Sequence, residues 1–65
     1  MPRFPNIAAE RAKLGMSLAD LARHLGVTRK TLYNWRRSGQ IPEEAVIRLT
    51  EIFDKPREYL LREDL

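Results

Sequence analysis

The sequence has no cysteine and a single histidine among its 65 residues. The absence of cysteine excludes disulfides, and one histidine cannot complete the zinc sites that are built from several cysteine and histidine ligands. The longest segments without charge or proline are about half of the ~20 residues needed to span a bilayer, and no apolar segment typical of a signal peptide follows Arg3. We therefore expect a soluble cytoplasmic domain with no metal, no cofactor and no membrane association.

Groups that could carry out catalysis are equally scarce. One histidine and scattered hydroxyls cannot supply a nucleophile, a base and an oxyanion site, and so short a chain leaves little room for a substrate pocket. The sequence also lacks a glycine-rich phosphate-binding loop. Glu43 and Glu44 point about 100° apart on a helix, which fits the positive end of a helix dipole better than a catalytic pair. We expect no enzymatic activity, no catalytic residue and no small-molecule ligand.

Positive charge is concentrated in the first part of the chain. Residues 1–39 carry eight cations and two anions, a net charge of +6. Residues 40–65 carry four cations and seven anions, a net charge of −3, which gives the whole chain its charge of +3. A strongly basic half beside an acidic one is typical of a protein with a face that binds a polyanion such as nucleic acid.

Strand-like alternation of polar and apolar residues is absent, and helix signals occur throughout. Pro5, Pro42 and Pro56 lie where helices can begin. Each of the three glycines follows a helix-compatible run of about ten residues, where a left-handed residue can end a helix. The sequence predicts an all-α, compact bundle of about five short helices, at residues 6–14, 18–25, 29–37, 43–53 and from about 56 onward.

Side-chain caps and apolar spacing support these boundaries. Asn6, Ser17 and Thr28 are suitable N-caps, and Asp20 completes a variant of the capping box with Ser17. The residues that we predict to share one face in each helix are Ile7, Arg11 and Leu14, then Leu18, Leu21, Ala22 and Leu25, then Leu32 and Trp35, then Val46, Leu49, Ile52 and Phe53, with Ala45 as a further candidate, and finally Tyr59 and Leu60. We expect one domain over residues 1–65, with frayed ends at residues 1–5 and 62–65.

The second and third predicted helices are joined by a turn of only three residues, 26–28. So short a turn forces the two helices to cross steeply, and a small residue is needed where they nearly touch. Ala22 is that small residue, Gly26 reverses the chain, and Val27 fills the space beneath the turn. This spacing predicts a helix-turn-helix at about residues 17–37.

The third predicted helix has an apolar face with Leu32 and Trp35 and an opposite face that is cationic. Four cations and no anion occur at residues 29–37. In a DNA major groove, arginine or lysine can pair with guanine and asparagine with adenine. The side chains that we predict to read bases are Arg29, Lys30, Tyr33 and Asn34. The predicted phosphate contacts are Thr28, Arg36, Arg37, Ser38, Arg11, Lys13 and Arg23.

The segment from Leu14 to Thr28, LGMSLADLARHLGVT, is similar to the start of the helix-turn-helix in the lambdoid phage repressor and Cro family, also called Cro/C1-type or XRE-type. The stretch from Leu49 to Leu61 resembles the family's closing helices, so that the resemblance covers about residues 7–61. It implies a lambda repressor-like bundle of four or five helices. It also implies binding to operator DNA, usually as a two-fold dimer, with the third helix of each copy in the major groove.

Two features depart from the family's pattern. Many members have glutamine at the first position of the second helix, where it bonds a phosphate, whereas this chain has Leu18. Some members pair an arginine in the first helix with a glutamate at the end of the third, but the matching residues here are Arg11 and Arg36. Because both are cationic, we expect Arg11 to bind another acceptor, or both arginines to face phosphate.

The resemblance and the charge distribution lead to one functional hypothesis. We expect a sequence-specific double-stranded DNA-binding protein, a transcriptional repressor of phage or mobile-element type, which binds a palindromic operator as a homodimer. The chain has no room for a separate dimerisation domain, so we expect the last helix and the loop before the fourth to form a weak dimer that is completed on DNA. The alternative is a protein-interaction module on the same fold, such as an antitoxin, adaptor or anti-repressor, which the acidic second half allows.

Overall fold

The computed structural model describes residues 3–63 and folds them into five α-helices. These are α1 (Pro5–Lys13), α2 (Leu18–Leu25), α3 (Arg29–Ser38), α4 (Glu43–Phe53) and α5 (Arg57–Leu60). The described residues contain no strand, and the molecule measures 26 × 24 × 21 Å along its principal axes. The predicted all-α bundle of five short helices is confirmed.

Side-chain caps set the starts of α2 and α3. The hydroxyl of Ser17 accepts from the backbone N–H of Asp20 at 3.0 Å, and the Asp20 carboxylate accepts from the backbone N–H of Ser17 at 3.1 Å. The hydroxyl of Thr28 accepts from the backbone N–H of Thr31 at 3.3 Å. These contacts satisfy N–H groups that have no partner inside the helix. Both predicted caps are confirmed, and α2 and α4 have the predicted bounds.

The start of α1 differs from the prediction. Pro5 is the first residue of the helix, and Phe4 occupies the N-cap position in the left-handed region, with φ 55° and no side-chain cap. Asn6 lies inside the helix, where its side-chain Nδ2 donates to the backbone carbonyl of Tyr59 at 2.8 Å. The prediction of Asn6 as N-cap is therefore wrong, because the amide ties α1 to α5 instead, and proline at the first position has no N–H to satisfy.

The end of α1 and the chain termini also differ. The helix ends at Lys13, and Leu14 is 58 % exposed rather than on the packed face with Ile7. Residues 3–5 are not frayed, because Phe4 is buried and Pro5 belongs to α1. Arg3 is ion-paired with Glu63 at 2.8 Å, and the remainder of the predicted frayed ends, residues 1, 2, 64 and 65, lies outside the described residues.

The core joins α2, α3, α4 and α5. Leu49 and Leu60 are its most deeply buried large side chains. The buried cluster consists of Leu21, Ala22, Leu32, Leu49, Phe53 and Leu60. The apolar faces predicted for α2, α4 and α5 pack inward, with Leu18, Leu25, Ile52 and Tyr59 half-buried against the cluster. Such apolar burial is the main stabilising contribution in a domain of this size.

A polar contact closes α1 onto α5 beside this core. Glu10 is a buried charged residue, and its Oε2 accepts from the hydroxyl of Tyr59 at 2.8 Å and from Nζ of Lys13 at 3.1 Å. These two donors hold the pKa of the Glu10 carboxyl below its ordinary value, with the Tyr59 hydrogen bond as the larger cause. The same contact raises the pKa of Tyr59. Buried carboxylates need such partners, since burial alone favours the neutral form.

Candidate nucleic-acid interface

The turn between α2 and α3 fixes the direction of α3. Gly26 ends α2 in the left-handed region with φ 71°, and the N–H of Val27 donates to the carbonyl of Ala22 at 2.9 Å. Ala22 is 3 % exposed and Val27 packs against the core, as the spacing predicts. The turn satisfies the last carbonyls of α2 while it redirects the chain. The structure confirms a helix-turn-helix at this place.

The rear of α3 is packed and its front is open. Leu32 is buried, and Trp35 is half-buried against the core cluster. The four predicted base-reading residues lie on the other side of the helix, and all are exposed: Arg29, Lys30, Tyr33 and Asn34. Within the described part of the chain, their side chains make no hydrogen bond and no ion pair. Their donors and acceptors are therefore free for a ligand of this face.

The C-terminal end of α3 adds two more cations. Arg36 and Arg37 are exposed, and neither is ion-paired with any residue between positions 3 and 63. Ser38 is also exposed; its hydroxyl donates to the carbonyl of Trp35 at 3.4 Å and accepts from the backbone N–H of Gln40 at 3.2 Å. Cations at this end suit the negative pole of the helix. With Arg29 and Lys30, α3 presents four cations that form no ion pair within residues 3–63.

The structure does not bring the remaining predicted phosphate contacts onto this face as free groups. Lys13 is ion-paired with Glu10, and Arg23 is ion-paired with Asp20. Arg11 is half-buried, and its Nη1 donates to the backbone carbonyl of Met16 at 2.7 Å. That carbonyl is the alternative acceptor expected for Arg11. The pairs of Lys13 and Arg23 have the i, i+3 spacing of helical ion pairs, a signal already visible in the sequence.

Neither a metal-binding cluster nor a membrane-spanning helix occurs in the described residues. No group of three or more histidine or acidic side chains in residues 3–63 is placed to hold a metal ion. None of the five helices is both long and apolar enough to cross a bilayer. A cavity behind α3, lined in part by Arg11 and Arg36, was not predicted from the sequence. Periodicity predicts which residues face inward, but it carries no information on whether they fill the space.

Comparison with known proteins agrees with this geometry. The sequence matches the Helix-turn-helix family over residues 7–60. A protein of Thermococcus gammatolerans, named as a candidate HTH-type transcriptional regulatory protein, is 45% identical over 47 residues, which are 71% of this chain and 15% of that protein. A Pyrococcus furiosus protein with the same description is 43% identical over 47 residues, again 71% of this chain and 15% of its own length.

The matched segment is a small part of each relative. The chain spans about one seventh of the length of these two archaeal relatives. No solved structure gives a significant match. The family match covers most of the chain and includes the capped α2, the turn and the exposed face of α3. The chain belongs to the Cro/C1-type helix-turn-helix family of DNA-binding transcriptional regulators.

Proposed function

We propose that the chain binds double-stranded DNA in a sequence-specific way with α3 in the major groove. The observation that carries this proposal is the two-sided character of α3, which is packed through Leu32 and Trp35 and opens four cations and an amide to solvent. A single α-helix fits the major groove, where each base pair presents a distinct pattern of donors and acceptors. Insertion into the groove needs a helix that is held to the core on one side and that presents free polar side chains on the other.

The residues of α3 fall into proposed base contacts and proposed phosphate contacts. Arg29 and Lys30 lie in the first turn, where a recognition helix enters deepest, and either can pair with guanine. Asn34 can bond adenine with two hydrogen bonds, and Tyr33 can pack on a thymine methyl or bond a phosphate. The phosphate contacts proposed for the ends of the helix are Thr28, Arg36, Arg37 and Ser38.

Arg11, Lys13 and Arg23 are further proposed phosphate contacts. Each is expected to contribute a smaller net gain in binding free energy. Lys13 and Arg23 would exchange a carboxylate of their own chain for a DNA phosphate, and Arg11 would exchange the Met16 carbonyl. Because each exchange breaks one contact to form another, these residues contribute less to affinity than the unpaired Arg36 and Arg37.

The regulatory role that the resemblance to phage repressors suggests is transcriptional repression of phage or mobile-element type. Two copies would bind a palindromic operator with half-sites about one helical turn, roughly 34 Å, apart. The dimer would form mainly on DNA, through α5 and the loop between α3 and α4. This role requires a location with cellular DNA in the cytoplasm.

Selection of bound sites from random DNA duplexes tests the proposal. We expect an enriched inverted repeat whose half-site centres are about 10 base pairs apart. An enriched single half-site would overturn the dimer but keep base reading by α3. Recovery of duplexes with no sequence in common would overturn sequence specificity.

The second candidate function is a protein-interaction module, such as an antitoxin, adaptor or anti-repressor. It is favoured by the net charge of −3 on residues 40–65 and by Ile47, which is 51 % exposed on α4. This function predicts no retention of duplex DNA even at low salt, whereas the DNA-binding function predicts strong retention there.

A further inference from the structure

A cavity of about 150 Å³, partly open to solvent, lies behind α3. Residues of α1, α2, α3 and α4 line it, together with residues before α1 and after α3. Its apolar wall includes Ile7, Leu18, Leu25, Leu32 and Trp35. A volume on the order of 150 Å³ admits a molecule of the size of benzene. The cavity therefore has room for one ring or a short branched chain.

Cations border the same cavity. Arg3, Arg11 and Arg36 all line it, and none of its lining residues in the described part of the chain carries a carboxylate. Arg3 is occupied by its ion pair with Glu63. Arg11 uses Nη1 for the Met16 carbonyl, and a guanidinium has four further N–H groups. Arg36 is exposed and lines the cavity, so its side chain is accessible from solvent.

We propose that this cavity binds a small organic monoanion with a compact apolar body, such as an aromatic or branched-chain carboxylate. The apolar body occupies the space beside Trp35, and the carboxylate accepts hydrogen bonds from Arg36, while Arg11 lines the same cavity. A guanidinium forms short, charge-assisted bonds with carboxylates, and burial of the body adds apolar contact. A ligand of this site therefore needs both a negative charge and a compact apolar body. An inorganic anion has only the charge, and a neutral ring has only the apolar body.

The site also offers a way to regulate DNA binding, an extension that rests on the proposed function. Arg36 is a proposed phosphate contact, so a carboxylate bound to its guanidinium competes with the DNA backbone for the same donors. The four proposed base-reading residues do not line the cavity. The ligand therefore weakens binding to all sequences alike and leaves base preference unchanged. By linkage, DNA lowers the affinity for the ligand by the same factor.

Trp35 makes the binding step measurable without DNA, because it is the single tryptophan of the chain and lines the cavity. Tryptophan fluorescence is titrated with sodium benzoate, sodium acetate and benzyl alcohol at constant ionic strength. We expect a saturable change with benzoate. Acetate lacks the ring and benzyl alcohol lacks the charge, so each should bind at least about tenfold more weakly. Equal affinity for benzoate and benzyl alcohol, or no saturation with benzoate, would overturn the proposal.

Two variants locate the site. Arg36→Gln removes the charge that faces the carboxylate and should lower benzoate affinity about tenfold, to the level of benzyl alcohol. Arg37→Gln removes a neighbouring exposed charge that does not line the cavity and should leave the affinity unchanged. Equal effects of Arg36→Gln and Arg37→Gln would contradict the site.

A second experiment adds duplex DNA. Because the first experiment contains no DNA, failure of the ligand site can be distinguished from failure of the proposed DNA-binding function. Benzoate should weaken binding to duplex DNA more than acetate at the same concentration, and Arg36→Gln should remove that difference. Saturable benzoate binding by a chain that does not retain DNA would overturn the DNA-binding function and keep the ligand site. DNA binding that benzoate and acetate affect equally would overturn the competition at Arg36.

Discussion

At the scale of single residues, Asn34 and Arg37 are both exposed on α3 and free of partners among the described residues, yet they are assigned different tasks. Asn34 lies on the face that we propose to read bases, and Arg37 lies near the helix end that we propose to contact the DNA backbone. Asn34→Ala should cost about 1–3 kcal/mol at one base pair of the site and relax the preference there. Arg37→Ala should weaken binding to all sequences to a similar extent.

Affinities for a set of duplexes that differ at single positions distinguish the two roles. The variant at Asn34 should lose discrimination at one position of the site, whereas the variant at Arg37 should keep every preference. Identical specificity profiles in the two variants would show that the division between base and phosphate contacts is wrong.

Glu10 should make the free energy of unfolding depend on pH. The Tyr59 hydroxyl and the Lys13 ammonium hold the pKa of this carboxyl below its ordinary value. The folded chain therefore releases this proton more readily than the unfolded chain. The resulting stabilisation is fully present above the ordinary pKa of glutamate and is lost as the pH falls through the lowered folded pKa.

Glu10→Gln keeps an acceptor for Tyr59 and removes the titrating charge. Its free energy of unfolding should fall less steeply over this acid range than that of the original chain. Some dependence should remain, because hydrogen bonds from Ser17 and from Arg57 lower the pKa values of Asp20 and Glu43. Denaturant unfolding at a series of pH values measures the difference.

Glu51→Gln is the matched control, since Glu51 is exposed and has no ion pair in the described part of the chain. Its pH dependence should follow that of the original chain. Coincident curves for the variants at Glu10 and Glu51 would show that the contact between α1 and α5 does not couple folding to pH.

At the scale of elements, the turn between α2 and α3 depends on one left-handed residue, Gly26 at φ 71°. A Cβ at this position would meet no atom within 4 Å, so a substitution is opposed by the backbone conformation alone. Gly26→Ala should lower the free energy of unfolding by about 1–2 kcal/mol. Gly26→Asn should cost less, because asparagine tolerates the left-handed region better than alanine.

Urea unfolding of the two variants gives this comparison directly. An alanine variant as stable as the original chain, or one more stable than the asparagine variant, would contradict the role assigned to the turn.

Elements with local signals could be predicted from the sequence. The bounds of α2 and α4 follow from residues next to them, a Ser17 cap in one and acidic residues in the first turn of the other. The exposed face of α3 follows from the 3.6-residue period once Leu32 and Trp35 are placed inward. The start of α1 does not, because Asn6 bonds a carbonyl 53 residues away.

Contacts between distant segments could not be predicted. Glu10 and Tyr59 are 49 residues apart, and nothing in the sequence of α1 identifies a tyrosine of α5 as the partner of a buried carboxylate. The cavity behind α3 has the same origin, since its wall comes from segments spread over most of the chain. Leu18 and Arg36, which depart from the family's pattern, line that cavity together with Arg11, which lacks the family's glutamate partner.

At the scale of the whole molecule, the eight cations of residues 1–39 differ in their partners. Arg3, Lys13 and Arg23 are ion-paired with carboxylates of their own chain, and Arg11 donates to the Met16 carbonyl. The four cations of α3 have no such partner within residues 3–63. The surface that we propose for DNA binding is therefore narrower than the basic half of the sequence indicates, and it is concentrated on one helix.

The affinity for duplex DNA over a series of salt concentrations tests this claim most directly. Each neutralised phosphate adds about −0.9 to the slope of the logarithm of the association constant against the logarithm of salt concentration. The free cations of α3 predict a slope of about −2 to −4 per bound copy. Replacing Arg36 and Arg37 by glutamine should make the slope shallower by about 2, whereas replacing Lys13 and Arg23 should change it by less than about 0.5. A slope near zero, or equal changes in the two double variants, would contradict the account.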